Sequence, residues 1–61
     1  MDQPARFLNK YIRVVRKRDG WRYAGRCIQE TESGISLIDR KDFRTRWFSF
    51  DELSEIEEVL V

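Results

Sequence analysis

Seven lysine and arginine side chains, Lys10, Arg13, Arg16, Lys17, Arg18, Arg22 and Arg26, lie between Leu8 and Cys27, interleaved with Tyr11, Trp21 and Tyr23. Cations neutralise phosphates, and an exposed aromatic ring stacks on an unpaired base, so this mixture carries the chemistry of single-stranded nucleic-acid binding. The candidate contacts are Arg13, Arg16, Lys17, Arg18, Trp21, Arg22 and Arg26, with Tyr23 and Trp47 as further stacking candidates. The same residues also have a purely structural reading. In a chain this small aromatics fill the core, and Arg13, Arg16 and Arg22 can pair with Asp and Glu on neighbouring strands. A net charge of +1 also falls short of the basic footprint of a dedicated nucleic-acid binder.

Catalysis has little to work with. The chain has no histidine, the commonest general base, and a single cysteine. Cys27 shares a strand face with Tyr23 and Gly25, where a thiol is a small hydrophobe rather than a nucleophile. One cysteine and no histidine exclude a Cys/His zinc site within one chain. Glu55, Glu57 and Glu58 fit the solvated or edge face of a closing strand better than a metal cluster. The expectation is a non-enzymatic protein without cofactor or metal, either a binder of single-stranded RNA or a protein-interaction module.

Net charge hides a division along the chain. Residues 1–30 carry eight basic and three acidic side chains, and residues 31–61 carry four basic and eight acidic ones. Such asymmetry suits an anionic partner on one surface or attraction between copies, whereas interleaved strands would dilute it into ordinary solvated faces.

These side chains must be placed by strands. Ile12 and Val14 alternate with Arg13 in a first strand over Tyr11 to Lys17, and an Asp19-Gly20 turn leads into a second. There Trp21, Tyr23, Gly25 and Cys27 share one face. Gly25 marks a bend or a close backbone approach. Glu30 to Gly34 is a polar turn, Ile35 to Ile38 a short third strand, and Arg40 to Asp42 a charged turn. Arg44 to Phe50 reads as the fourth strand, Asp51 to Leu53 as a helical turn, and Ile56 to Val61 as the fifth. Asp2 and Pro4 predict a short helix over Pro4 to Asn9, with Phe7 and Leu8 buried. The expected core is Phe7, Leu8, Ile12, Val14, Tyr23, Cys27, Ile35, Leu37, Phe48, Phe50, Leu53, Ile56 and Val59. No repeat or linker divides the chain. The pattern describes one all-β domain over residues 1–61, a five-stranded SH3-like barrel with a short N-terminal helix.

Leu8, Ile12, Val14, Asp19-Gly20, Tyr23, Gly25 and Cys27 follow the order of the first motif of the Sm-like family, and over nearly its whole length the chain resembles these small RNA-binding barrels. The resemblance implies a ring of subunits that binds single-stranded RNA. The Asp and Asn that read uridine in that family are missing from Glu30 to Gly34, and Phe48-Ser49-Phe50-Asp51 replaces the second motif, so no uridine-reading residue carries over. Leu37 to Ile56 is similar to the closing strands of WYL domains, which contain the same barrel, although the family's name-giving triplet is absent. Both resemblances imply a stand-alone barrel of phage or bacterial origin.

A 61-residue chain buries about 60% of the surface it exposes when unfolded, which leaves a marginal core. With no disulfide or metal to staple it, self-association is expected. No apolar run reaches the length of a membrane span and no signal-peptide pattern opens the chain, so a cytoplasmic location is expected.

Overall fold

The alternation of apolar and charged residues becomes five antiparallel strands in a computed structural model, which describes residues 6–60. They are β1 (Tyr11–Arg16), β2 (Arg22–Glu30), β3 (Gly34–Asp39), β4 (Thr45–Ser49) and β5 (Leu53–Glu58), with one 3-10 turn (Phe50–Glu52) before β5. The sheet order is β4-β3-β2-β1-β5. Period-two alternation puts Ile12, Val14, Cys27, Ile35, Leu37, Phe48 and Leu53 on one buried face, against which Phe7, Tyr23, Phe50 and Ile56 pack.

Gly25 and a bulge at Ile28 let β2 serve two neighbours. Gly25 pairs with Ile12 of β1 and with Asp39 of β3, and a Cβ there would lie 1.8 Å from the Ile38 carbonyl oxygen, so only glycine admits this approach. Beyond Cys27 the register steps from Cys27 against Leu37 to Gln29 against Ser36, leaving Ile28 as the extra residue. The bulge bends β2, and its first half lies along β1 while its second half lies along β3.

The fold is all-β as expected, in one open five-stranded sheet whose two edges, β4 and β5, no ladder joins among the described residues. Several expectations are corrected. The 3-10 turn sends its backbone bonds elsewhere: Phe50 N–H donates to the Ser33 carbonyl (2.9 Å), and the Glu52 carbonyl accepts Lys17 N–H (2.7 Å). β5 therefore starts beside β1 instead of doubling back on β4. It begins at Leu53, which pairs with Arg16, three residues earlier than expected, and it ends at Glu58. Val59 lies beyond it, and Val61 falls outside the described residues. β4 is trimmed at both ends, because the Arg44 carbonyl closes the preceding loop and Ser49 caps the 3-10 turn.

The expected helix falls partly on residues 1–5, outside the described residues; Arg6 to Asn9 are not helical. The Glu30 carboxylate accepts the amides of Arg6 (3.2 Å), Phe7 (2.7 Å) and Leu8 (3.2 Å), and Asn9 then turns left-handed at φ 66°. Leu8 stays 38% exposed, not buried. Among the described residues no helix is long and apolar enough to cross a membrane.

Candidate nucleic-acid interface

The loops after β1 and after β3 have the same backbone construction. In the first, Lys17 to Gly20 are spanned by Arg16 N–H to the Trp21 carbonyl (2.8 Å) and by Gly20 N–H to the Arg16 carbonyl (2.7 Å). In the second, Arg40 to Phe43 are spanned by Asp39 N–H to the Arg44 carbonyl (2.9 Å) and by Phe43 N–H to the Asp39 carbonyl (2.8 Å). The fourth loop residue is left-handed in both, Gly20 at φ 70° and Phe43 at φ 58°. The third is an aspartate in both. Asp19 accepts Trp21 N–H at 3.0 Å, and Asp42 accepts Arg44 N–H at 3.0 Å, the Asx-type bond that holds a tight turn. Asp19-Gly20 is thus the second half of a four-residue loop rather than a two-residue turn, which is why β1 ends at Arg16.

Each aspartate also pins an arginine. Asp19 holds Arg16 through Nε (3.0 Å) and Nη2 (2.6 Å), and Asp42 holds Arg46 Nη2 at 2.8 Å. Arg46 Nε reaches Asp39 at 3.0 Å, and Asp39, only 3% exposed, also accepts Lys41 N–H at 2.9 Å. The two guanidinium carbons both stand 5.4 Å from the Tyr23 ring centroid, and that ring meets Phe48 at 5.0 Å. Tyr23 thus anchors the core and orients two arginines, and is not free to stack on a base. Hydrogen bonding to Arg16, then to Trp21 N–H, lowers the Asp19 carboxyl from 3.8 to about 2. The Arg44 amide, with Arg46 nearby, likewise lowers Asp42.

The sequence-predicted residues fall into three groups. Arg16, Trp21 and Arg22 come together with Lys41 and Arg46 on a shared hollow of about 460 Å³ between the two loops. Lys17 and Arg18 are exposed at the tip of the first loop. Arg13 and Arg26 lie apart, at alternate positions on the sheet face that does not carry the core. Arg13 pairs across the ladder with Glu57, and Arg26 stands opposite Tyr11 and Ile38. Among the described residues Lys17, Arg18, Arg22 and Arg26 have no ion-pair partner. The cross-strand pairing considered for Arg13 is present, whereas Arg16 pairs within its own loop and Arg22 does not pair.

The two tryptophans do not share a surface. Trp21 is 57% exposed and lines the hollow. Trp47 stands opposite Ser36 and covers Gly34, whose added Cβ would come within 2.8 Å of the indole. Sequence reasoning missed Lys41 and Arg46. The available signal was the pairing of Lys17-Arg18-Asp19 with Arg40-Lys41-Asp42, two basic residues before an aspartate at a hairpin. Segments 16–22 and 39–46 together hold eight of the twelve basic side chains and three acidic ones. All three of those carboxylates accept bonds from arginine and from backbone amides, which leaves the other cations of the loops to face solvent.

No protein-family model matches the chain, and no curated protein or solved structure matches it significantly.

Proposed function

We propose that this protein is a non-enzymatic binder of single-stranded RNA, built on a small SH3-like barrel of the Sm-like type. The carrying observation is Trp21, more than half exposed and with its backbone N–H held by Asp19, beside Lys17, Arg18 and Arg22, which have no ion-pair partner among the described residues. An exposed aromatic ring next to solvent-facing charges presents a stacking platform and phosphate contacts at once. The strand order supports the barrel assignment, because the two sheet edges are separated in the chain by one three-residue turn. In this reading the free edges of β4 and β5 pair between copies and build a ring, which hides both from indiscriminate pairing.

Fluorescence anisotropy with a labelled oligouridine across a salt series tests the binding. Replacing Lys17, Arg18 and Arg22 by Gln is expected to weaken binding to every sequence alike and to flatten the salt dependence by about 0.7 log units per lost contact. Trp21→Ala is expected to lower affinity at every salt concentration without altering the slope. If the parent protein does not bind even at low salt, the nucleic-acid reading fails and a protein-interaction module takes its place. Light scattering tests the ring: a monomer at high micromolar concentration would remove it.

A further inference from the structure

The hairpin after β3 repeats the closing backbone hydrogen bonds and the aspartate turn of the hairpin after β1, and differs from it in the residue that takes the left-handed position. Where the first loop places Gly20 in the left-handed region, the second places Phe43, a residue type that rarely adopts that backbone, and leaves it 81% exposed. The loop itself does not require a phenylalanine, since Gly20 closes the same construction. Nor does the core, since Phe43 is the most exposed aromatic ring of the described residues. An aromatic side chain held out to solvent against its backbone preference is the kind of local conflict found where a ligand is gripped.

The surroundings of Phe43 name the ligand chemistry. Lys41, two residues earlier, lines the same hollow as Trp21 and Arg22, and among the described residues it has no ion-pair partner. The floor between the loops is Tyr23 with Arg16 and Arg46 beside it, both arginines fixed by loop aspartates. The first loop lines this concave surface with Trp21 and Arg22, and the second lines it with Lys41 and Asp42, directly followed in the chain by the exposed Phe43. Arg40 does not join them, because it lines a separate hollow with Tyr11 and Arg13.

We infer that the β3–β4 loop is the second jaw of the RNA site, with Phe43 stacking on an unpaired base and Lys41 meeting the adjoining phosphate, so that a single strand is held across the hollow between two like loops. This rests on the single-stranded RNA reading and extends it to residues outside the β1–β2 hairpin. Exposed aromatic rings on two neighbouring loops suit a flexible strand with splayed bases, and a duplex, whose bases are already stacked, cannot use them.

The test uses the full chain, a labelled oligouridine, and the variants Phe43→Gly, Lys41→Gln and, as a control away from the hollow, Arg26→Gln. Phe43→Gly is expected to lower affinity about tenfold or more at unchanged salt slope, while its melting temperature stays at or above that of the parent, since glycine relieves the backbone. A purely structural phenylalanine would give the opposite melting result. Lys41→Gln is expected to reduce the salt slope by about 0.7, and Arg26→Gln to leave it as in the parent. If the parent and Trp21 respond as described while Phe43→Gly and Lys41→Gln bind like the parent, the second jaw is overturned and the one-hairpin site stands. If the parent does not bind oligouridine, the whole site falls. Binding instead to vesicles of phosphatidylserine, lost in Phe43→Gly, would reassign the loops to an anionic membrane surface and overturn the RNA assignment.

Discussion

Phe43 occupies in the β3–β4 loop the position that Gly20 occupies in the β1–β2 loop, with φ 58° against 70° and the same two closing hydrogen bonds. Two loops of one geometry thus differ in how well their residues suit it. A non-glycine residue held left-handed costs about 1–2 kcal/mol, so the second loop carries a strain that the first avoids.

That difference predicts a swap of signs. Phe43→Gly is expected to stabilise the fold by about 0.5–1 kcal/mol, the relieved strain less the extra freedom of glycine in the unfolded chain. Gly20→Phe is expected to destabilise it by about 1–2 kcal/mol, although an added Cβ at Gly20 meets no atom within 4 Å. Urea unfolding of the two variants measures both, and equal effects of one sign would show that the loops are not equivalent.

Gly25 predicts a larger loss. A Cβ 1.8 Å from the Ile38 carbonyl oxygen cannot be accommodated without separating β2 from β3, so Gly25→Ala is expected to cost about 3 kcal/mol or more. For a domain of this size that is enough to leave much of it unfolded. Circular dichroism of Gly25→Ala should show no cooperative melt, and a melt within a few degrees of the parent would place β2 and β3 further apart than described.

Arg46 is expected to be structural before it is functional. It is the side-chain partner of the buried Asp39 and also reaches Asp42, so Arg46→Met is expected to cost about 1–3 kcal/mol by leaving a buried carboxylate with only the Lys41 amide. Arg46→Lys should recover only part of this, because an ammonium lacks the planar fork that spans two carboxylates. Full recovery by lysine in thermal melts would mean that charge alone matters here.

Acid should weaken the loops in a defined window. The Asp19 carboxyl is lowered from 3.8 to about 2 by Arg16 and the Trp21 amide, and Asp42 is lowered by the Arg44 amide and Arg46. Glu30 is lowered too: its burial opposes ionisation, but the amides of Phe7, Arg6 and Leu8 outweigh it. A carboxyl with a depressed folded-state pKa contributes in full above its unfolded value and loses that contribution as pH falls towards the folded value. Stability is therefore expected to fall between about pH 4 and pH 2, and Asp19→Asn should flatten part of that limb. An unchanged acid limb in Asp19→Asn would remove the Arg16 pairing as its source.

How much of this was legible beforehand follows from the range of the interactions. Alternation placed strands over Tyr11 to Lys17 and Ile35 to Ile38, close to the observed Tyr11–Arg16 and Gly34–Asp39, and the polar turn at Glu30 to Gly34 separated two of them, because side-chain period and turn chemistry are local properties of the backbone. Ile12, Val14, Cys27, Ile35, Leu37, Phe48 and Leu53 were assignable to the core for the same reason. The N-terminal segment was not. Pro4 and Asp2 favour a helix locally, and the carboxylate of Glu30, more than twenty residues away, collects the amides of Arg6, Phe7 and Leu8 instead.

The candidate site divides in the same way. Composition alone marked Trp21 and the cations around it, since exposed charge beside an Asp-Gly turn needs no partner to be recognised. Which cations remain unpaired was decided by the ladder: β1 against β5 brings Glu57 to Arg13, and the loop brings Asp19 to Arg16. Only the tertiary structure could set Arg46 beside Tyr23 and place the β3–β4 loop across a hollow from the β1–β2 loop, because both depend on the bend of β2 at Gly25 and Ile28. Sequence determines what each segment prefers; where two segments compete for the same carboxylate or ring, the contact that buries more and bonds better wins, and that comparison exists only in the folded chain.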